Sequence, residues 1–208
     1  MVLTVHHMGV SQSERVVFLC EELGIPYQLT RHTRAPLLAP ESLSSLPGNS
    51  TGKSPFMEDT DAGITLSESG AVVEYIIHRH GDGRLAKKPN DPEYANYLHW
   101  FHWANGTLQP QMISAMFPLP DEAMQKFREA RLHGAIRVMD QRLAESKWLA
   151  GEDFTAADIM TMYSLTTQRY WGPVDLSSYP NILRWLQDVA ARPGYQRAVS
   201  GDLPEWLI

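Results

Sequence analysis

Two short stretches, Gly52-Lys53-Ser54-Pro55 and Leu66-Ser67-Glu68-Ser69-Gly70, decide how this chain is read. The first reads as a turn carrying a proline, the second as a strand running into a helix N-terminus. Between them, residues 56–58 and 64–66 flank Asp61-Ala62-Gly63, the composition of a hairpin turn. The hairpin would set the backbone of Ser54 near the amides and hydroxyl of Glu68-Ser69. An extended peptide can pair with the one and place a carboxylate on the other, so together they suit a small zwitterionic peptide.

Upstream, residues 2–7 are a short β-branched run, predicted as a strand. Residues 15–23 place Val16, Leu19, Cys20 and Leu23 on one helical face, and Gly24-Ile25-Pro26 stops that helix. Residues 27–32 read as a second strand, parallel to the first because a helix crosses between them. Residues 33–50 are irregular in pattern, and residues 68–80 are predicted as a helix with Val72, Val73, Tyr75, Ile76 and Ile77 mostly inward. This order is the thioredoxin-like arrangement, βαβαββα once the irregular stretch is given a helix. No Cys-x-x-Cys is present, which excludes dithiol redox chemistry.

Downstream the pattern changes. Residues 81–92 are rich in Gly, Pro and charge, as linkers are. Everything long after them reads as helix. Residues 93–117 carry many aromatics, and residues 121–146 space Met124, Phe127, Leu132, Ile136, Met139 and Leu143 at near-helical intervals. Thr155-x-x-Asp158 has the form of a capping box with Asp in place of Glu, flanked by Phe154 and Ile159 at the positions of a hydrophobic staple. Tyr179-Pro180-Asn181 opens a further helix, and Ala191-Arg192-Pro193 closes it. The expected architecture is an α/β thioredoxin-like domain over residues 1–81, a linker over 82–92 and an all-α helical domain over 93–208.

Composition narrows the function classes. The chain has 208 residues, 43% hydrophobic and 20% charged, which is ordinary for a soluble globular protein. A net charge of −6 argues against a nucleic-acid partner, which needs a basic surface. No apolar run has the length of a membrane span, so no membrane association is expected. The first residues lack a basic segment followed by an apolar one, and the single cysteine permits no intrachain disulfide, so a cytoplasmic protein is the expectation. Asn49-Ser50-Thr51 and Asn105-Gly106-Thr107 are read as chance matches to the glycosylation pattern. Gly48-Asn49-Ser50-Thr51-Gly52-Lys53-Ser54 imitates a phosphate-binding loop but is one residue short, and a proline and a strand follow where that loop needs a helix. His78-x-His80 and His99-x-x-His102 lack the helical pattern and carboxylates of a metal site, so no metal is expected. Cys20 lies on an apolar helical face and is expected to be buried and inert.

From end to end the chain resembles the glutathione transferases, in particular the serine-type fungal and bacterial branch. Members often show Asn or His, then Pro-Leu-Gly-Lys/Arg-Ser/Val-Pro. Here Gly52, Lys53, Ser54 and Pro55 match, whereas Ser50 stands where the first proline belongs. Ser11-Gln12-Ser13-Glu14-Arg15 resembles the serine-type pattern of a Ser four residues before an Arg, and Gly106-Thr107-Leu108-Gln109-Pro110 resembles a segment of that branch's helical domain. The resemblance implies a cis Ser54–Pro55 bond, with the backbone of Ser54 pairing to the cysteinyl part of glutathione. It implies that Asn49 and Pro55 belong to the same binding loop, that Lys53 neutralises the glycine carboxylate, that Ser69 binds the γ-glutamyl carboxylate and that Glu68 meets the amino group. Read alone, Glu68 and Ser69 could be simple helix caps, and Lys53 a solvated surface charge.

The same resemblance implies glutathione as co-substrate and a homodimer. The chemistry is activation of a thiol whose ordinary pKa is about 8.5; lowering it by about two units takes roughly 2.7 kcal/mol of preferential thiolate stabilisation. A hydroxyl donor at a helix N-terminus supplies both a hydrogen bond and the helix dipole. Ser11 is the first candidate and Ser13 its rival; Ser11-x-x-Glu14 also has the form of a capping box, a role compatible with catalysis. An apolar wall for a hydrophobic electrophile could draw on Asn105, Met112, Met116 and Phe117, with Tyr170-Trp171. Reduction of hydroperoxides by the same thiolate, and a non-catalytic glutathione-binding regulatory module, stay open as alternatives.

Overall fold

The computed structural model describes residues 3–35, 38–172 and 174–199. The chain divides into two compact units, residues 1–84 with 192–208, and residues 85–191. The first holds a four-stranded sheet in the order β2-β1-β3-β4, from β1 (Leu3–Met8), β2 (Gln28–His32), β3 (Phe56–Asp59) and β4 (Ile64–Ser67). β1 and β2 are parallel, joined by helix α1 (Ser13–Leu23), and β3 and β4 run antiparallel to their neighbours. The hairpin turn has Gly63 at φ 66° and the Ala62 N–H on the Asp59 carboxylate. A four-residue helix, α2 (Glu41–Ser44), lies within the stretch read as irregular.

Strand alternation sorts β1 into two faces. His7 points toward α1, where its ring meets Ser13. Met8 lies on the opposite face in a cluster with Phe56 and with Leu43 of α2. Helix α3 (Ser69–Arg79) buries Val72, Val73, Ile76 and Ile77; Tyr75 instead reaches Asp59 with its hydroxyl.

The first unit also takes back the end of the described chain. Helix α9 (Pro193–Val199) packs on α1, with Tyr195 edge-on to Phe18 at 5.2 Å between ring centroids. A Cβ on Gly194 would lie 2.8 Å from the Glu22 Cα, so only glycine permits this approach. Arg192 pairs with Glu22, and Arg197 with Glu21 at 2.7 Å. The helical pattern places all of 93–208 in the helical domain, whereas 192–199 belong to the first unit; residues 200–208 lie outside the described residues. The boundary also falls within the expected 82–92 linker, between Arg84 and Leu85.

The second unit is helical: α4 (Tyr94–Trp103), α5 (Gln109–Ala115), α6 (Glu122–Glu145), α7 (Ala156–Leu165) and α8 (Pro180–Ala190). The helix expected over 93–117 is interrupted by a π-helical turn at Ala104–Leu108. Pro110 has no N–H to give the Gly106 carbonyl, so the ladder shifts register there. α6 also departs from its expected face. Leu132, Ile136, Met139 and Leu143 are buried, but Met124 and Phe127 are 55% and 57% exposed. Arg128 turns inward instead, donating to the Ser114 and Phe117 carbonyls at the end of α5. Asp140 caps α8 by accepting from the Asn181 and Ile182 N–H groups at 2.9 and 3.0 Å.

The Thr155–Asp158 capping box forms. Asp158 is fully buried, and its carboxylate accepts from the Leu149 and Thr155 N–H groups, the Thr155 hydroxyl and the Trp185 indole. The box therefore ties three segments of the second unit to one carboxylate.

Candidate active site

Register gathers the site. His6 stands opposite Phe56, and Phe56 opposite Ser67. The C-terminal end of β1, the N-terminal end of β3 and the C-terminal end of β4 therefore share one edge. The N-termini of α1 and α3 follow directly, and both favour negative charge.

Three loops meet there. The Ser11 Oγ lies 2.8 Å from the Ser13 Oγ and 3.1 Å from the Ser54 Oγ, and accepts from the Ser13 N–H at 3.3 Å. The capping box read into Ser11-x-x-Glu14 does not form: the Glu14 N–H goes to the Ser11 carbonyl, and the cap position is Gln12, which makes no side-chain cap. Ser13 is fully buried, with the Met8 N–H and the His7 Nδ1 on its hydroxyl at 3.3 and 2.8 Å. Ser11 is thus the outer of the two hydroxyls, at 6% exposure, and Ser13 the inner. The backbone before Ser11 has Val10 at φ 54°, and Arg34 donates to the Gly9 and Val10 carbonyls.

The Ser54–Pro55 bond is cis. Asn49, expected to touch glutathione, braces this loop instead. Its Nδ2 donates to the Leu43 and Lys53 carbonyls at 3.0 and 3.2 Å, and its Oδ1 accepts from the Thr51 and Ser67 hydroxyls at 3.2 and 3.3 Å. An amide has two donors and two main acceptor positions, so nothing is left over for a ligand. Lys53 is exposed, and among the described residues its ammonium makes no ion pair.

At α3, Glu68 is exposed at φ 73°, ψ 116°, and its carboxylate makes no capping bond. Such a backbone costs roughly 1–3 kcal/mol at a non-glycine residue and collects at ligand sites. Helix capping therefore does not account for Glu68. The buried Ser69 hydroxyl accepts from the Arg15 Nη1 at 3.0 Å and donates to the Gln12 Oε1 at 2.9 Å. To bind a carboxylate it must turn its proton away from Gln12. Arg15, fully buried, also donates to Gln12 at 2.7 Å and sets positive charge behind both helix N-termini.

The expected electrophile residues divide. Met112 is 2% exposed and belongs to the core. Asn105 lies in the π-helical turn, half-buried. Met116 is half-buried against Gly172, and the exposed Tyr170 stands edge-on to Trp171. Phe117 is largely exposed. Cys20 is fully buried, and burial, with the nearby Glu21 charge, pushes its thiol well above the usual range. Among the described residues no group of three or more His, Cys, Asp or Glu is placed to hold a metal ion.

Sequence reasoning named no site role for His7, Gln12, Arg15 or Arg34. Arg15 stood in a quoted motif, and a helical count puts it one turn beyond Ser11 and Gln12. His7 was findable too, since a period of two turns it to the α1 face of a buried strand.

The glutathione S-transferase N-terminal domain family matches residues 5–85, and the C-terminal domain family matches residues 107–193. Among curated proteins, the chain is 27% identical over 210 residues to glutathione S-transferase 3 of Schizosaccharomyces pombe, covering 92% of this chain and 84% of the relative. It is 27% identical over 197 residues to glutathione S-transferase GstB of Escherichia coli, covering 89% and 91%. Among solved structures, a glutathione S-transferase from Actinobacillus pleuropneumoniae superposes with a TM-score of 0.85 at 25% identity, covering 96% of this chain and 92% of the other. Matched in both its domains, the chain belongs to the glutathione S-transferase family.

Proposed function

We propose that this chain is a serine-type glutathione transferase in which the Ser11 hydroxyl stabilises the glutathione thiolate for attack on a hydrophobic electrophile. The observation that carries the reading is the place of Ser11. It is the outermost hydroxyl of a buried chain, 3.1 Å from the hydroxyl before the cis-proline and at the start of α1. A thiolate there meets a hydroxyl donor and a helix N-terminus together, and both favour the charged form. Glutathione would lie with its cysteinyl backbone against Ser54, its γ-glutamyl end at Glu68-Ser69 and its glycine carboxylate toward Lys53. The free charges of Glu68 and Lys53 suit the two ends of a zwitterion. Met116, Tyr170 and Asn105 would contribute to electrophile binding, whereas Met112 is buried in the core. Catalysis is positioning plus a pKa shift, with no covalent enzyme intermediate.

The reading includes a homodimer in the cytoplasm. Met124 and Phe127 offer apolar surface on α6 that a second copy would cover, and among the described residues no helix is long and apolar enough to cross a membrane.

The test is Ser11→Ala, assayed with glutathione and an aryl halide from pH 5.5 to 9. A drop in kcat/KM of about 10- to 100-fold at pH 6.5, shrinking as pH approaches the free thiol pKa near 8.5, is expected. Turnover equal to wild type across that range would sink the assignment. Cumene hydroperoxide in parallel reads out peroxidase activity through oxidised glutathione.

A further inference from the structure

Ser11 is the end of a chain of hydrogen bonds that starts inside the protein. His7, on β1 and 2% exposed, holds its Nδ1 2.8 Å from the Ser13 Oγ, which lies 2.8 Å from the Ser11 Oγ. Each serine has one proton to give. Ser13 already accepts from the Met8 N–H at 3.3 Å, and Ser11 from the Ser13 N–H at 3.3 Å; the Met8 carbonyl, at 3.4 Å from the Ser13 Oγ, is a longer and weaker acceptor for the Ser13 proton than either His7 or Ser11. The direction of the chain then turns on which His7 nitrogen carries the proton.

With the proton on Nδ1, His7 donates to Ser13, Ser13 donates to Ser11, and the Ser11 proton is free to point at Ser54 or at a bound sulfur. With the proton on Nε2, Nδ1 is an acceptor and takes the one Ser13 proton. Two hydroxyl oxygens 2.8 Å apart need a proton between them, so Ser11 then gives its own inward to Ser13 rather than to Ser54 at 3.1 Å, and it presents only lone pairs to the sulfur. Lone pairs repel a thiolate. Only the first arrangement stabilises one, and hydrogen bonds aligned in series polarise each other in the same sense.

We infer that His7 is a positioning residue for the thiol-activating step: its imidazole, with the proton on Nδ1, aims the Ser13 and Ser11 hydroxyls outward at the glutathione sulfur. The inference rests on the assignment of Ser11 above. No proton is transferred by His7; it fixes the direction in which the two serines donate.

The experiment compares wild type with Ser11→Ala, His7→Leu and His7→Asn. Bound thiolate is followed near 240 nm as pH is varied, glutathione affinity is measured at pH 5, and folding is checked by circular dichroism. His7→Leu should raise the pKa of bound glutathione by about one unit, a tenfold loss of thiolate below the midpoint, with affinity at pH 5 within about twofold of wild type. Asn places its Nδ2 donor near the position of the imidazole Nδ1, so His7→Asn should recover most of the shift. A folded His7→Leu protein with an unshifted thiol pKa overturns the inference, as does a shift in His7→Asn as large as that in His7→Leu. Should His7→Leu fail to fold, the ¹⁵N shifts of the His7 ring in wild type decide: an Nδ1–H tautomer supports the inference and an Nε2–H tautomer overturns it. The two readings fail separately, because an unshifted thiol in Ser11→Ala removes the Ser11 assignment, whereas a shift there without one in His7→Leu removes only the role of His7.

Discussion

Asn49→Ala separates a residue that touches glutathione from one that holds the residues that do. The Asn49 side chain makes four hydrogen bonds, to the Leu43 and Lys53 carbonyls and from the Thr51 and Ser67 hydroxyls. Each neutral bond is worth about 0.5–1.5 kcal/mol net. Thr51 and Lys53 are exposed and regain a water; the Leu43 carbonyl keeps the Leu46 N–H at 3.3 Å but loses its second donor, and the half-buried Ser67 hydroxyl loses its acceptor. The loss should be about 2–3 kcal/mol. With an m-value of about 2 kcal/mol per molar, the urea midpoint of the first unit should fall by about 1 M. Glutathione affinity should fall with it, because the loop carrying Ser54 is no longer fixed. Asn49→Asp sharpens the test. It keeps the acceptor for Thr51 and Ser67 but turns an oxygen onto two carbonyls, so at neutral pH it should cost more than the alanine. That excess should shrink on acidification, as the carboxyl regains a proton to donate. A stable Asn49→Ala protein with an unchanged midpoint and lost glutathione binding would refute the bracing argument and return Asn49 to the ligand.

Other outcomes follow from buried groups away from the site. Asp158→Ala strands the Leu149, Thr155 and Trp185 N–H donors, each costing about 1–3 kcal/mol, so a loss of about 3 kcal/mol or more is expected in denaturant titrations followed by tryptophan fluorescence. Burial works to raise the Asp59 carboxyl, but the Tyr75 hydroxyl, the Ala62 N–H and His80 outweigh it and hold it below its usual value of 3.8. Its stabilisation is therefore complete above about pH 5 and lost as pH falls through the depressed value; the stability gap between wild type and Asp59→Asn should close as pH falls below about 4. Cys20, fully buried with a raised thiol pKa, should resist a thiol-specific disulfide reagent in the native protein and react only on unfolding; rapid native labelling would contradict its placement.

Much of this was legible in the sequence because it rests on local rules. The strand–helix–strand start, the hairpin at Asp61-Ala62-Gly63 and the capping box at Thr155 each follow from a few neighbouring residues, and each is present. What escaped depends on partners distant in sequence. Ser11 and Ser13 look alike at a helix N-terminus; only the fold turns Ser13 back onto His7 and Met8 while Ser11 reaches across to Ser54. Arg128 interrupts the apolar stripe of α6 because the carbonyls it satisfies belong to the end of another helix. Gly194 is unremarkable in sequence, and its meaning appears only against Glu22. The break at Ala104–Leu108 was more accessible, since Pro110 within a helical run announces a missing donor.

The loop before the cis-proline shows how a departure from a family pattern can be absorbed. A proline at position 50 would stiffen the loop by fixing φ; this chain has Ser50. Stiffness comes instead from the two residues before it. Gly48 turns at φ 83° against Thr65, where a Cβ would lie 2.3 Å from the threonine Oγ1. Asn49 then bonds backward to Leu43, forward to Thr51 and Lys53, and across to Ser67 on β4. A proline ring restrains only its own backbone angle, whereas these bonds fix the loop relative to α2 and β4. The position of Ser54 is consequently tied to the strand that delivers Glu68-Ser69, so the two halves of the proposed glutathione socket are set by one buried amide. This arrangement concentrates the cost of failure: Ser50→Ala should be nearly silent in stability and glutathione affinity, while the neighbouring Asn49→Ala damages both.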